Sequence, residues 1–147
     1  ENSLGKQLPY AAFGENLTLR GMLEDRVCIG DVYRVGDAVV QISQPRYPCF
    51  KLSQKLGVKD MPVRVLNTGY SGFYFRVLEE GDVRADSSVT QLESHAAGAT
   101  VLEVLRMMKD GRKDEQGLNR MLELDVLSVS LKTQFGKWLE ALQSRTD

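Results

Sequence analysis

The chain changes character near Ser94. Upstream, short runs of β-branched and aromatic residues alternate with Gly-Asp pairs. Downstream, proline is absent and apolar residues recur at helical spacing. No single periodicity runs through the molecule. The sequence therefore reads as a mixed, mainly β unit over residues 1–93 followed by a helical unit over 94–147.

In the first unit, Val32-Tyr33-Arg34-Val35 and the run from Ala38 to Ser43 flank Gly36-Asp37, which predicts a tight hairpin. Further strands are expected over Gly72 to Leu78 and Ser88 to Leu92. Two short helices fit between them. One runs from Cys49 to Leu56, with Pro48 in its first turn and Gly57 as its stop. The other has Asp60 as N-cap, Pro62 in its first turn and an end near Gly69. Short strands with this punctuation predict a barrel or a strongly bent sheet.

The second unit predicts three helices. Thr100 and Glu103 fit a capping box that opens a helix ending at Gly111. Asp114 to Leu124 gives the next. Ser128 to Leu142 gives the last, with Leu131, Phe135, Trp138, Leu139 and Leu142 on helical spacing. Trp138 and the methionines read as core. So short a helical unit has little core of its own, so it is expected to pack on the β unit or across a homodimer.

At 42% hydrophobic and 27% charged residues, the composition is that of a soluble globular protein. No apolar run reaches membrane-span length, and no basic segment followed by an apolar stretch marks a signal peptide. Cys28 and Cys49 are read as reduced and the protein as cytoplasmic. A net charge of −1 does not indicate nonspecific nucleic-acid binding, and no specific nucleic-acid partner is expected. From Gln41 to Leu78, however, Arg46, Lys51, Lys55, Lys59, Arg64 and Arg76 face one acid, Asp60. Such a window is either a solvated basic face or an anion site.

Cys49 lies inside that window. A thiol at a helix start beside Arg46 and Lys51 is expected to favour the thiolate, the form that attacks or binds a soft metal. The bland reading is a buried, inert cysteine. Cys28, in an apolar run, is read as structural. His95 is read as a linker residue, so no catalytic triad has its histidine. CxxC, HExxH, phosphate-loop and dinucleotide patterns are absent. Phe13-Gly14-Glu15-Asn16-Leu17-Thr18 is a plain loop-to-strand turn, a backbone cradle, or a place where the Asn16 side chain touches a ligand.

Taken together, Phe13-Gly14-Glu15-Asn16-Leu17, Val27-Cys28-Ile29-Gly30-Asp31-Val32-Tyr33 and Ser43-Gln44-Pro45-Arg46-Tyr47-Pro48-Cys49-Phe50-Lys51-Leu52 resemble the MOSC (molybdenum cofactor sulfurase C-terminal) domain family, in its YiiM-like branch. Gly72 to Leu78, followed by Glu80-Gly81, fits a later strand of that family. The resemblance implies a MOSC-type β-barrel, here lacking its N-terminal part, followed by a small three-helix domain. It departs from the family where a His-Gly-Gly type motif would precede Gly14. It also has Ala85-Asp86 where the family often has Gly-Asp.

The resemblance further implies a molybdenum-pterin cofactor, with Cys49 as metal ligand. Arg46 would share the catalytic centre and orient anionic groups. Gly14, Glu15, Asn16 and Lys51 would serve as further cofactor-binding positions. A pyridoxal phosphate label goes with the family only. The implied activity is reduction of small N-hydroxylated compounds such as hydroxylaminopurines, with electrons from a flavin or iron–sulfur reductase. The competing readings are a cofactor-binding or sulfur-carrier module without its own turnover, and a contact module acting through the helical tail.

Overall fold

The computed structural model describes residues 8–144. Four strands, β1 (Val32–Val35), β2 (Ala38–Pro45), β3 (Phe73–Glu79) and β4 (Val89–Glu93), form an antiparallel sheet in the order β3-β2-β1-β4. Gly36-Asp37 makes the expected hairpin, with Val35 opposite Ala38. Two register shifts bend the β2–β3 ladder and one bends β1–β4. The expected barrel is not closed. Among the described residues β3 and β4 are both edges, and closing a barrel takes more strands than four.

Helices α1 (Lys51–Leu56) and α2 (Met61–Thr68) lie between β2 and β3. The first starts two residues later than its sequence predicts. Arg46 still pairs with the β3 side, its N–H donating to the Gly72 carbonyl at 2.9 Å. Tyr47, being before a proline, favours extended backbone. Pro48 is then buried rather than placed in a first helical turn. Gly57 ends α1 as expected, its N–H donating to the Ser53 carbonyl. Asp60 precedes α2, but its carboxylate turns to Arg64 at 2.9 Å instead of capping the helix.

The tail contains α3 (Val101–Asp110), a 3₁₀ turn (Gly111–Lys113), α4 (Glu115–Leu122) and α5 (Val129–Gln143). Thr100 is the expected N-cap, and Asp114 and Ser128, the expected first residues of the next two helices, cap theirs. Thr100 accepts from the Glu103 N–H, Asp114 from Gly117 and Ser128 from Leu131. The second half of the capping box is not made, because the Glu103 carboxylate pairs with Arg120.

The tail packs on the sheet of its own chain. Ile29, Val35 and Ile42 share one buried cluster with Val101, Val104, Leu118, Met121, Leu131 and Phe135. Burying a ring such as that of Phe135 is worth about 1.5–3 kcal/mol. The backbone seals the same seam. Ile29 N–H donates to Ala99, Val101 N–H to Val27 and Leu102 N–H to Glu24.

His95 is therefore a strut rather than a linker residue. Its N–H donates to the buried Asp31 carboxylate at 2.9 Å, and its ring meets Asp125 at 3.3 Å. No helix among the described residues is long and apolar enough to cross a membrane.

Candidate functional site

Three segments converge beyond the end of β2. The first is Arg46 to Lys51, tied to Gly72 as described. The second is the α1–α2 pair, held by Leu52, Met61 and Val65. The third is the turn from Pro9 to Glu15. Phe13 anchors that turn in the same small cluster, beside Leu56 and Val58.

The turn is fixed by two charged side chains. Glu15 accepts from the N–H groups of Ala11 at 2.9 Å and Phe13 at 3.0 Å, and from the Thr18 hydroxyl at 3.3 Å. Burial pushes its carboxyl up, but the backbone N–H groups outweigh it and hold the group below its ordinary value. Lys55 donates from α1 to the Ala11 carbonyl at 2.7 Å. Ala11 itself has φ 58°, a conformation that costs roughly 1–2 kcal/mol and persists only where its surroundings over-determine it.

Gly14 is brought to Arg46. A Cβ on Gly14 would stand 4.0 Å from Arg46 Nη2. Arg46 is half-buried, and among the described residues its guanidinium has no hydrogen-bond or ion-pair partner. Three residues on, Cys49 is exposed with a free thiol. Asn16 and Lys51 are exposed beside this region, and their side chains are likewise without hydrogen bonds among the described residues.

The basic window is thus not one patch. Arg64 is paired with Asp60, and Lys55 is spent on Ala11. Arg76 reaches Gln41 at 2.8 Å and the Val126 carbonyl at 3.4 Å, so it joins sheet to tail. Sequence counted Lys55 only as one charge among six. Its position four residues after Lys51 in α1 was the available signal for its role.

Cys28, read as structural, is half-buried at the seam. Burial, then the charges of Asp31 and Glu103, push its thiol up. It stays protonated and is a poor ligand.

The donor set at the end of β2 suits an anionic group carrying a soft metal. A guanidinium without a carboxylate partner among the described residues takes anionic oxygens, and cysteine sulfur takes a soft metal; α1 begins at Lys51, so Cys49 stands before the helix rather than at its start as the sequence predicts. Among the described residues no three His, Cys, Asp or Glu side chains gather as a metal cluster. A metal held here would bring most of its ligands with it.

Known proteins match this chain over most of its length. The MOSC domain family matches residues 1–90, and the YiiM-like, 3-alpha helix domain matches residues 100–142. YflK of Bacillus subtilis is 47% identical over 137 residues, which is 93% of this chain and 62% of YflK's own length. A protein named Reductase from Gibberella moniliformis is 37% identical over 99 residues, 67% of this chain and 18% of that protein. The crystal structure of YiiM from Geobacillus stearothermophilus superposes with a TM-score of 0.91 at 37% identity, covering 94% of this chain and 71% of that one. The chain belongs to the MOSC domain family, in its YiiM-like branch with a three-helix domain after the MOSC unit.

Proposed function

We propose that this chain is the molybdenum-cofactor-binding part of a cytoplasmic reductase for N-hydroxylated compounds such as hydroxylaminopurines, with Cys49 as the protein's ligand to the metal. The observation that carries the reading is the exposed free thiol of Cys49 three residues from Arg46, whose guanidinium has no partner among the described residues. Membership of the MOSC family and the relative named Reductase support it. The closed MOSC-type barrel belongs to the same proposal.

When bound, a molybdenum-pterin group supplies two-electron redox chemistry. The residues of this chain hold and orient. Cys49 offers a soft sulfur. Arg46 offers a forked donor to anionic oxygens of cofactor or substrate. Gly14 keeps the space beside that guanidinium open, and Asn16 and Lys51 add donors at the rim. Glu15 acts through the turn that it braces.

Reduction of R–NHOH to R–NH₂ breaks the N–O bond, takes up two electrons and two protons, and releases water. The electrons come from a flavin or iron–sulfur reductase as partner. The test is elemental analysis for molybdenum on the full-length protein from a cofactor-competent host, beside Cys49→Ala. Metal bound by wild type and lost in the variant supports the assignment. A variant with full metal content and full activity overturns it. Metal in neither protein turns the reading to the carrier or contact module.

A further inference from the structure

Phe50 is out of place for a phenylalanine. It is 66% exposed, whereas Phe13, Phe73 and Phe75 are half-buried and Phe135 is fully buried. Tyr47, on the other side of Cys49, is 46% exposed. From Pro45 to Leu52 these two rings are the only exposed apolar side chains, since Pro48 and Leu52 are buried.

Neither ring stands on a loose segment. Buried Pro48 pins the chain between them and restricts Tyr47 to extended backbone. Phe50 is the N-cap of α1, with φ −59° and ψ −25°, and its carbonyl accepts from Ser53 at 3.0 Å and Gln54 at 3.4 Å. Consecutive Cα atoms lie about 3.8 Å apart, so Phe50 is one step and Tyr47 at most about 7.6 Å from Cys49.

Holding a ring in water is unfavourable unless something covers it. Aromatic faces are covered best by other planar rings, which stack with little demand on hydrogen-bond pattern.

We propose that Tyr47 and Phe50 form a stacking platform for the planar heteroaromatic ring of the substrate, making them the residues that select ring-bearing N-hydroxylated compounds. This rests on the reductase reading of the same site. Stacking on the flanking rings fixes the plane of the base and leaves the edge that carries its exocyclic N–O group free. The guanidinium of Arg46, without a partner among the described residues, stands on the same segment and is drawn to electron-rich faces and anionic groups alike.

The experiment compares 6-hydroxylaminopurine with ring-free N-hydroxyurea on the full-length holoprotein, in wild type, Phe50→Ala, Tyr47→Ala and Phe50→Trp. Molybdenum content is measured on each. In Phe50→Ala the ratio of the purine KM to the hydroxyurea KM is expected to rise roughly tenfold, in line with the loss of one stacked face. Tyr47→Ala should move it the same way, and Phe50→Trp should restore it.

An unchanged ratio overturns the platform. Loss of molybdenum from Phe50→Ala assigns the rings to the cofactor and overturns it too. If wild type turns over neither compound, the reductase reading fails on its own. The platform then stands or falls on equilibrium binding of adenine to the full-length protein: roughly tenfold weaker in Phe50→Ala, or overturned if unchanged.

Discussion

Replacing Gly30 by alanine tests whether sheet and tail share a rigid seam. Gly30 has φ +94°, and its N–H donates to the Ile42 carbonyl at 2.8 Å. A Cβ there would stand 2.6 Å and 2.7 Å from two His95 ring carbons and 2.8 Å from Val126 Cγ2. His95 cannot simply step back, because its N–H is held by Asp31 and its ring by Asp125. Left-handed backbone costs a non-glycine residue about 1–2 kcal/mol. Overpacking a fixed neighbour adds about 1–3 kcal/mol.

The expected loss is therefore roughly 2–5 kcal/mol, a large share of the 5–15 kcal/mol typical of a domain. At about 2–4 °C per kcal/mol, Tm should fall by roughly 4–20 °C. Gly57→Ala is the control. Gly57 has φ +66° with nothing within 4 Å of its Cβ direction, so it carries the backbone cost alone. Urea unfolding of the full-length variants, compared at equal m-value, reads the difference. If Gly30→Ala is no worse than Gly57→Ala, the seam gives way freely and the rigid-joint reasoning is refuted.

Two further outcomes are expected. Burial, then the Asp31 charge, push the Tyr33 hydroxyl up to about 12. A raised folded value means stability that is complete below the unfolded value of about 10 and lost as pH rises through about 12, worth roughly 2–3 kcal/mol. Urea midpoints from pH 9 to 12 should therefore fall more steeply for wild type than for Tyr33→Phe, and parallel curves would sink this. The Glu15 carboxyl is held below its ordinary 4.5, so its contribution is present above that pH and lost as pH falls through the folded value. Glu15→Gln has one acceptor oxygen where wild type uses two, so the Ala11 and Phe13 amides should exchange faster with solvent at neutral pH. Unaltered protection by hydrogen-exchange NMR would count against the brace.

The strands and helices were legible because their signals are local. Alternation around Gly36-Asp37 set the hairpin, and Thr100, Asp114 and Ser128 set the tail helices. What sequence could not show depends on partners far along the chain. His95 looked like a linker because the carboxylates that fix it lie 64 and 30 residues away. Pro48 fits a helix start as well as a buried bend, and the continued pairing of Arg46 with Gly72 decides for the bend. Barrel closure is a property of the edges β3 and β4, which no local pattern reports.

The six cations of the basic window show how partners sort a site. Residues whose charge is already answered hold shape. Lys55 is answered by Ala11, Arg64 by Asp60, and Arg76 by Gln41 and Val126. Glu15 belongs with them, since both its oxygens are occupied by the turn that it braces. A ligand can recruit only what is left, because displacing a satisfied hydrogen bond to a charged group costs about 1.5–3 kcal/mol before any new contact is made. Among the described residues the guanidinium of Arg46 and the ammonium groups of Lys51 and Lys59 are left, and of these Arg46 and Lys51 flank the free thiol of Cys49 at the end of β2. The proximity of Gly14 to Arg46 is then understood as geometry: Glu15 and Lys55 hold the turn that brings Gly14 there, and its φ of +76° is a conformation that favours glycine.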